Sequence, residues 1–391
     1  MTMELAPMTL RTTGPRTPRY AVWDWTCPSL TQEAAWHAAL RAIRAQEEGR
    51  TGGRVTWTVL DGRVVDTRRH EDGAALPAED DDGFAGWYAR VEAAYGSGTP
   101  VLFYARDLAR HDRDLFEVVL SAIGGSPDAF PLPRNRLDVE VFGGDYRRTP
   151  GGVHREYSVN RHFVLAGTKA MHMWPGDDWI PAGAERRHTT GFLPGVGEEH
   201  LSLPDPAAAD ASSRVLRASA GQVFAWVNGL WHIGETEGPA VGLNLASYMA
   251  SFDADEAPFT LEATEEGRVT RDWVEAYRSY LDTPYGAPPG SDAALAAASA
   301  FGIEGAPPRT PAGEPPAKVV AVTHAPLLWC AEEDHVTVAT HGRSARFAAT
   351  VASWLAEVGR LPVGGSCEVP SGAAHCALAA WLVAGSAVAG A

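Results

Sequence analysis

The stretch that decides the fold runs from Gly151 to Pro175 and reads GGVHREYSVNRHFVLAGTKAMHMWP. Its apolar and polar residues alternate on either side of Gly167, which predicts a hairpin of two strands. Successive side chains of a strand point to opposite faces, so His154 and Glu156 are expected to project together. By itself, this spacing is also typical of an ordinary strand with polar residues on its solvent face.

The same β-rich texture extends from Leu137 to Ala250. Short runs of β-branched, aromatic and aliphatic residues are separated by turns, among them LDVEVFGG, RVLRASAGQVFAWVNGLWHIGE and AVGLNLASYMA. Many short strands at close spacing favour a sandwich or a barrel over a helical fold. We therefore expect a mainly β core in this region.

A third metal ligand is predicted at His232. Two histidines and one carboxylate form the facial triad of non-haem Fe(II) oxygenases, which leaves positions open for a co-substrate and dioxygen. Among the 13 histidines, His232 has the best context, because Asn228-Gly229 predicts a tight turn that places it at the start of a strand. The gap after Glu156 leaves room for about four strands, as closure of such a fold requires.

These motifs resemble the catalytic core of the JmjC and cupin-type 2-oxoglutarate oxygenases. VHREYSVNRHFVLAGTK matches the segment with the first two ligands, and AGQVFAWVNGLWHIGE matches the segment with the distal histidine. Within that superfamily the likeness is to the asparaginyl-hydroxylase and ribosomal-oxygenase branches. The resemblance implies a double-stranded β-helix, also called a jelly roll, with Fe(II) as cofactor and 2-oxoglutarate and O₂ as co-substrates.

The resemblance also implies roles for single residues. His154, Glu156 and His232 would hold the iron, with Glu156 at a position that is more often aspartate. In the asparaginyl-hydroxylase branch, a lysine one hairpin after the carboxylate anchors the far carboxylate of 2-oxoglutarate. In this sequence that lysine is Lys169, and Thr168, Asn160 and Asn244 are matched to the same co-substrate site.

Other polar residues near the motif are candidates for substrate contact. His162 lies an even number of residues after Glu156 and shares its face, either as a substrate contact or as a buried core histidine. His172 should face the other way, and His188 and His200 are expected to be exposed. Loops beside such a site often bind substrate. Three residues just before the ligand strand are therefore candidates for substrate contact: Tyr146, Arg147 and Arg148. For the two arginines, the alternative is an ordinary solvated charge.

Composition changes divide the chain into five parts. Residues 1–18 are predicted to be disordered, and residues 19–136 to form an α/β flank of the catalytic domain. Residues 137–284 are assigned to the JmjC/cupin core with a trailing helix, and residues 285–317 to a proline-rich linker. The last part, residues 318–391, resembles a small α/β winged-helix-like domain.

Local patterns predict several elements outside the core. Apolar residues at helical spacing follow Thr31, and Asp61-Gly62 predicts a hairpin turn. DLFEVVLSAIGG and TRDWVEAYRSYLDT predict helices, as do ARFAATVASWLAEVG and AAHCALAAWLVAG in the tail.

The charge balance limits the partners. The formal net charge is −16, from 33 basic and 49 acidic residues, which argues against a nucleic-acid partner. No apolar run is long enough for a membrane span, and no secretory signal is recognisable. Four scattered cysteines without a CxxC pair favour a reducing cytoplasm over a disulfide framework. A homodimer remains open.

The sequence therefore predicts a 2-oxoglutarate-dependent dioxygenase that hydroxylates an unactivated carbon. The favoured substrate is an amino-acid side chain in a peptide or protein, with natural-product tailoring as one context. Two alternatives stay open. A cupin dioxygenase that does not use 2-oxoglutarate would not need Lys169, and a non-catalytic cupin sensor would take up no iron.

Overall fold

The computed structural model describes twelve stretches of the chain: residues 20–25, 27–51, 53–65, 75–124, 130–189, 198–204, 209–249, 259–281, 290–303, 316–323, 325–384 and 388–390. The predicted disordered segment 1–18 lies outside them, as does most of the proline-rich part of the predicted linker. Two compact units result. Of the described residues, one unit comprises 20–115 and 138–249, and the other comprises 116–137 and those from 259 onward.

The first unit begins with a mixed flank. Its elements are strand β1 (Tyr20–Asp24), helix α1 (Gln32–Glu47), strands β2 (Thr56–Leu60) and β3 (Arg63–Val64), helix α2 (Gly83–Tyr95), strand β4 (Val101–Ala105), helix α3 (Leu108–His111) and the start of helix α4 (Arg113–Gly124).

Two of the local predictions for this flank are confirmed. The side chain of Thr31 caps α1 by accepting a hydrogen bond of 3.1 Å from the Ala34 amide. Asp61 and Gly62 both have positive φ, 48° and 75°, as a two-residue turn between antiparallel strands requires.

Eight strands form the core of the first unit. They are β5 (Leu137–Asp145), β6 (Val153–Glu156), β7 (Ser158–Ala166), β8 (Thr168–Trp174), and, after an insertion that contains β9 (Glu185–Thr189) and β10 (Glu198–Ser202), β11 (Arg214–Ser219), β12 (Gln222–Trp226), β13 (Trp231–Thr236) and β14 (Ala240–Tyr248).

These strands are divided between two antiparallel sheets. One sheet has the order β12-β7-β14-β5, and the other has the order β11-β8-β13-β6. The chain crosses between the sheets at nearly every step, which is the strand order of a double-stranded β-helix. The predicted fold class is therefore confirmed for the core.

Flanking strands widen both sheets. The first sheet continues through β4, β2 and β3 beyond β5, and through β1 beyond β12. The second continues from β6 to β10 and then β9. The register of β10 on β6 places His200 directly opposite His154.

The second unit contains the rest of the elements: helices α5 (Arg271–Tyr280) and α6 (Ser291–Ser299), strands β15 (Lys318–Ala321), β16 (Leu328–Ala331), β17 (His335–Thr340) and β18 (Arg343–Ala348), a 3₁₀ turn (Ala349–Val351), helix α7 (Ala352–Gly359), strand β19 (Ser366–Glu368), helix α8 (Ala373–Ala384) and strand β20 (Val388–Gly390). Helix α5, predicted as the trailing helix of the core, belongs to this unit.

The tail is a small α/β assembly. Strands β19-β15-β20 form one three-stranded sheet, and β16-β17-β18 form another. Side chains of both sheets and both helices share one buried cluster that includes Val319, Val338, Leu355 and Leu378. Its α/β character was predicted, and the winged-helix arrangement stays a prediction.

Two predictions outside the core were wrong. Residues 345–348, predicted to open a helix, belong to strand β18, because the turn at His341-Gly342 has positive φ at both residues and pairs the segment with β17. Tertiary pairing here outweighs the helix propensity of alanine. The predicted linker 285–317 contains helix α6, whose alanines are largely buried. None of the helices in the described stretches combines the length and apolar character that a membrane span needs.

Candidate metal centre

Three side chains converge between the two sheets of the core. His154 and Glu156 project from β6, and His232 lies on β13 directly opposite His154. One ligand atom from each of the three lies within 4.8 Å of the others. The imidazole centroids are 4.4 Å apart, and His232 Nε2 lies 3.8 Å from Glu156 Oε1. The structure thus brings together the three residues that were predicted as iron ligands.

Both imidazoles present a free Nε2 atom to this cluster. Nδ1 of His154 lies 2.9 Å from the carbonyl oxygen of Gly152, and Nδ1 of His232 lies 2.9 Å from that of Leu230. A carbonyl oxygen only accepts, so each Nδ1 carries the proton and each Nε2 offers a lone pair. Burial lowers the pKa of both histidines, which keeps the rings neutral as a metal ligand must be.

Glu156 completes the donor set with a carboxylate. Its Oε1 accepts a 2.8 Å hydrogen bond from Asn160 Nδ2. Burial, together with the neighbouring Glu198 and Glu140, raises the pKa of Glu156 to about 8. A divalent cation between the three side chains would favour the ionised form. Two neutral imidazoles and one carboxylate fit a metal of the iron class, so the residues present match the implied ion.

The triad lines a cavity of about 570 Å³. Lys169 on β8 lines the same cavity and is 3% exposed. Its Nζ lies 5.3 Å from the ring centroid of Phe142 and 5.5 Å from that of Tyr146. Burial lowers the pKa of Lys169 to about 7, because its surroundings disfavour the charged form. Among the described residues no carboxylate forms an ion pair with this lysine, so an anionic ligand in the cavity would supply the missing partner.

His162 supports the lysine. The Nζ of Lys169 lies 3.1 Å from His162 Nε2, and the His162 ring packs 5.4 Å from that of Phe142. Burial lowers the pKa of His162 far below its usual value, with the Lys169 charge adding to the effect, so the neutral ring accepts a hydrogen bond from the ammonium group. A Cβ atom at Gly242 would overlap this ring. His162 thus lines the cavity as a partner of Lys169.

The two asparagines lie behind Glu156. Asn160 Nδ2 donates to Glu156 Oε1 and, at 2.7 Å, to Ser158 Oγ. Asn244 Nδ2 donates to Asn160 Oδ1 at 2.8 Å and to Glu140 Oε2 at 2.9 Å. Only Asn244 is among the cavity-lining residues. Asn160 therefore supports Glu156, a candidate metal ligand, which differs from its predicted contact with a co-substrate.

Three other predicted contacts lie elsewhere. Thr168 precedes Lys169 in the strand, so its hydroxyl points to the opposite face, where it lies 3.1 Å from Ser219 Oγ. Arg147 is exposed, and Arg148 forms an ion pair with Asp210. None of the three lines the cavity, whereas the neighbouring Tyr146 does and is 4% exposed.

A carboxylate–imidazole pair that was not predicted from the sequence, Glu198 and His200, lies beside the triad. His200 was expected to be exposed, but its ring stacks on that of His154 at 5.5 Å and it lines the cavity. Its Nδ1 lies 2.9 Å from the Gly151 carbonyl oxygen, and its Nε2 lies 3.1 Å from Glu198 Oε2. The sequence did offer an indication: Glu198 and His200 are two residues apart, and His200 opens the strand-like run HLSLP, so the two side chains could share a face. His172 faces away from the cavity, as predicted, and bonds Ser213 and Glu235.

Fold and site together define a double-stranded β-helix protein with a two-histidine, one-carboxylate centre. No protein-family model matches the sequence, and no curated protein matches it either.

Solved structures give only distant similarity. The ribosomal oxygenase YcfD from Escherichia coli, in complex with cobalt and 2-oxoglutarate, is 10% identical, covers 95% of this chain and 94% of its own, and has a TM-score of 0.45. Another structure of that protein is 12% identical, with 95% coverage of both chains and a TM-score of 0.41. Hazelnut vicilin is 11% identical, covers 38% of this chain and 28% of its own, and has a TM-score of 0.20. The fold assignment rests on the strand order itself.

Proposed function

We propose that this protein is an Fe(II)- and 2-oxoglutarate-dependent oxygenase that hydroxylates an unactivated carbon. His154, Glu156 and His232 would hold the iron, and Lys169 would anchor the co-substrate. The observation that carries the proposal is that the triad and a buried ammonium group line one cavity, and that no ion pair to this group occurs within the described stretches. A sensor has no need of this combination, and a cupin dioxygenase without 2-oxoglutarate has no use for the lysine.

His154, Glu156 and His232 would hold the iron, which would supply the oxidative chemistry with the co-substrate and O₂. Hydrogen bonds of the protein orient the three candidate ligands toward one another. The backbone contacts of His154 and His232 hold each Nε2 toward the same point. Asn160 holds the carboxylate of Glu156.

Lys169 would recognise the far carboxylate of 2-oxoglutarate. Among aromatic side chains and with a pKa of about 7, the free lysine is only partly charged near neutral pH. A bound carboxylate favours the ammonium form and gains a charge-assisted hydrogen bond in return. The aromatic wall excludes water around this pair, which strengthens it. Its members are Phe142, Tyr146, Phe224 and Trp226.

The cavity has room for more than the co-substrate, since its volume of about 570 Å³ lies within the usual range of ligand pockets. We propose that the remaining space takes an amino-acid side chain of a peptide or protein, in translation-related or natural-product chemistry. The net charge of −16 favours a basic partner and disfavours nucleic acid. The four cysteines are unpaired, which fits the proposed cytoplasmic location.

The test is anaerobic titration of the full chain with Fe(II) and 2-oxoglutarate, followed by visible absorption. A weak charge-transfer band is expected when the co-substrate chelates the metal, and it should be lost in Lys169→Ala. The chain has two lysines, so Lys318→Ala is a matched control that should keep the band. Absence of the band in the unmodified protein would contradict the proposal, and a band that survives in Lys169→Ala would contradict the role of this lysine.

A further inference from the structure

A hydrogen-bonded relay connects Glu156 to a second buried carboxylate. Asn160 Nδ2 donates to Glu156 Oε1 at 2.8 Å, and Asn160 Oδ1 accepts from Asn244 Nδ2 at 2.8 Å. Asn244 Nδ2 also donates to Glu140 Oε2 at 2.9 Å, while the Tyr104 hydroxyl donates to Glu140 Oε1 at 2.7 Å. The four residues beyond Glu156 lie on the adjacent strands β7, β14, β5 and β4 of one sheet.

The ends of the relay determine the direction of each bond. The ionised form of the Glu140 carboxylate only accepts, and Asn244 turns its amide nitrogen toward it. The same nitrogen then donates to Asn160, whose oxygen faces Asn244 and whose nitrogen therefore faces Glu156. The opposite orientation of Asn244 would place its oxygen against two acceptors.

The orientation of Asn244 is maintained at a cost. Its Oδ1 is buried and has no hydrogen-bond partner among the described residues. A buried carbonyl oxygen without a partner is unfavourable, so the two bonds to Glu140 and Asn160 must outweigh that loss. Glu140 is the stronger acceptor of the two, because a carboxylate accepts more strongly than an amide oxygen.

The Glu140 carboxylate accepts hydrogen bonds from the Tyr104 hydroxyl and from Asn244 Nδ2. Glu140 is 6% exposed. Burial, together with the nearby Asp138, raises the pKa of Glu140 to about 7, although the two hydrogen bonds and the charge of Arg106 act in the opposite direction. Glutamate side chains are rarely buried to this extent unless they are paired, so packing alone does not explain this carboxylate.

We propose that Glu140 is a positioning residue of the metal centre, acting through Asn244 and Asn160 to hold the carboxylate of Glu156 in one orientation. This inference rests on the proposed metal-binding role of the triad. It predicts that the arrangement of the three ligands depends on Glu140, whose hydrogen bonds within the described part of the chain are to Tyr104 and Asn244 and not to the ligands. Outer partners of metal ligands typically change metal affinity by roughly 10- to 100-fold when they are removed.

The experiment compares Co(II) binding by the metal-free full chain and by two variants, using calorimetry and the visible spectrum of bound Co(II). Glu140→Leu removes the acceptor and should weaken Co(II) binding about 10-fold and alter the spectrum. Glu140→Gln should stay within about 3-fold, because its amide oxygen still accepts from Asn244 and its amide nitrogen can donate to the Tyr104 oxygen. Rescue by glutamine separates the relay from the charge of Glu140.

Glu235→Leu is the matched control. Glu235 also lines the cavity but bonds His172, outside the relay, so its loss should leave Co(II) affinity within about 3-fold. Equal losses in Glu140→Leu and Glu140→Gln would overturn the relay in favour of a charge effect.

Other outcomes are equally distinct. A Glu140→Leu protein that melts like the parent and binds Co(II) with parental affinity and spectrum would overturn the inference and leave the proposed function intact. Failure of the parent protein to bind Co(II) would instead overturn the proposed function. If Glu140→Leu does not fold, Asn244→Ser decides, since it interrupts the relay without burying a new apolar side chain and should show the same loss.

Discussion

The two histidines of the triad are held by the same local contact. In each, Nδ1 lies 2.9 Å from the carbonyl oxygen two residues earlier, Gly152 for His154 and Leu230 for His232. The tautomer is therefore set by the residue immediately before each strand and does not depend on the partner strand. Each histidine arrives at the shared site with its Nε2 lone pair already available, which reduces the reorganisation that metal binding requires.

The protonation of Lys169 predicts a pH dependence for co-substrate binding. The free lysine has a pKa of about 7, and binding of a carboxylate needs the ammonium form. As the pH rises above 7, a growing fraction of the protein must take up a proton to bind, so the apparent affinity for 2-oxoglutarate should fall by about 10-fold per pH unit. Below pH 7 the lysine is charged and this dependence should level off.

Calorimetric titration of the Zn(II)-loaded protein between pH 6 and 9 measures this effect without turnover. Lys169→Ala should bind more weakly at every pH and lack the decline that the lysine causes. A parent protein whose affinity stays constant from pH 7 to 9 would show that the lysine is not the group that binds the carboxylate.

At the level of secondary structure, strand register decides which side chains meet. The pairing of β13 with β6 brings His232 opposite His154, and the pairing of β10 with β6 brings His200 opposite the same residue from the other side. A shift of one residue in either pair would turn the imidazole to the other face of the sheet. The positions of these imidazoles at the candidate metal site therefore depend on the pairing of β6, β10 and β13 as well as on the residues themselves.

Gly242 on β14 makes room for the lysine's partner. A Cβ atom there would overlap His162 Nε2, so Gly242→Ala should push the ring away from Lys169. We expect a loss of roughly 1–3 kcal/mol in the free energy of unfolding from overpacking, together with weaker 2-oxoglutarate binding. Urea denaturation and calorimetry measure the two effects.

Gly234→Ala is the control for this substitution. Gly234 lies on β13 and also lines the cavity, but the nearest atom to a Cβ there is Met171 Cε at 3.5 Å, an ordinary contact. It should change stability by less than about 1 kcal/mol. Equal losses in the two variants would mean that a strand glycine is needed for another reason than space for His162.

On the scale of the whole molecule, the centre belongs entirely to the first compact unit, because the triad and Lys169 lie within Asp138–Ala257. The second unit has its own core, in which Leu355 is fully buried. Leu355→Ala should therefore lower the free energy of unfolding by roughly 2–5 kcal/mol while Co(II) affinity at 10 °C stays unchanged.

Thermal melting and calorimetry of the same preparation give both values. Val363→Ala, at a position that is 47% exposed, should change stability by no more than about 0.5 kcal/mol. Weaker Co(II) binding in folded Leu355→Ala would show that the core of the second unit contributes to the metal site.

Much of the site could be predicted because the information is local. The two-residue spacing of His154 and Glu156 puts them on one face of any strand. The turn at Asn228-Gly229 separates β12 from β13, in which His232 is the second residue. Lys169 was implied by the family resemblance, which places a lysine one hairpin after the carboxylate ligand. The same reasoning failed for Thr168, because adjacent strand residues face opposite sides, and for Arg148, because Asp210 lies in a distant part of the chain.

The sequence by itself determined a β-rich core, the tight turns within it, and which polar side chains share a face, since all of these follow from steric preferences over a few residues. Only the tertiary structure decided that His200 and Glu198 lie beside the triad, that Asn160 bonds a metal ligand, and that Glu140 joins it through Asn244. These contacts depend on register and on closure of the two sheets, which is a property of many distant pairings at once and is not encoded in any short segment.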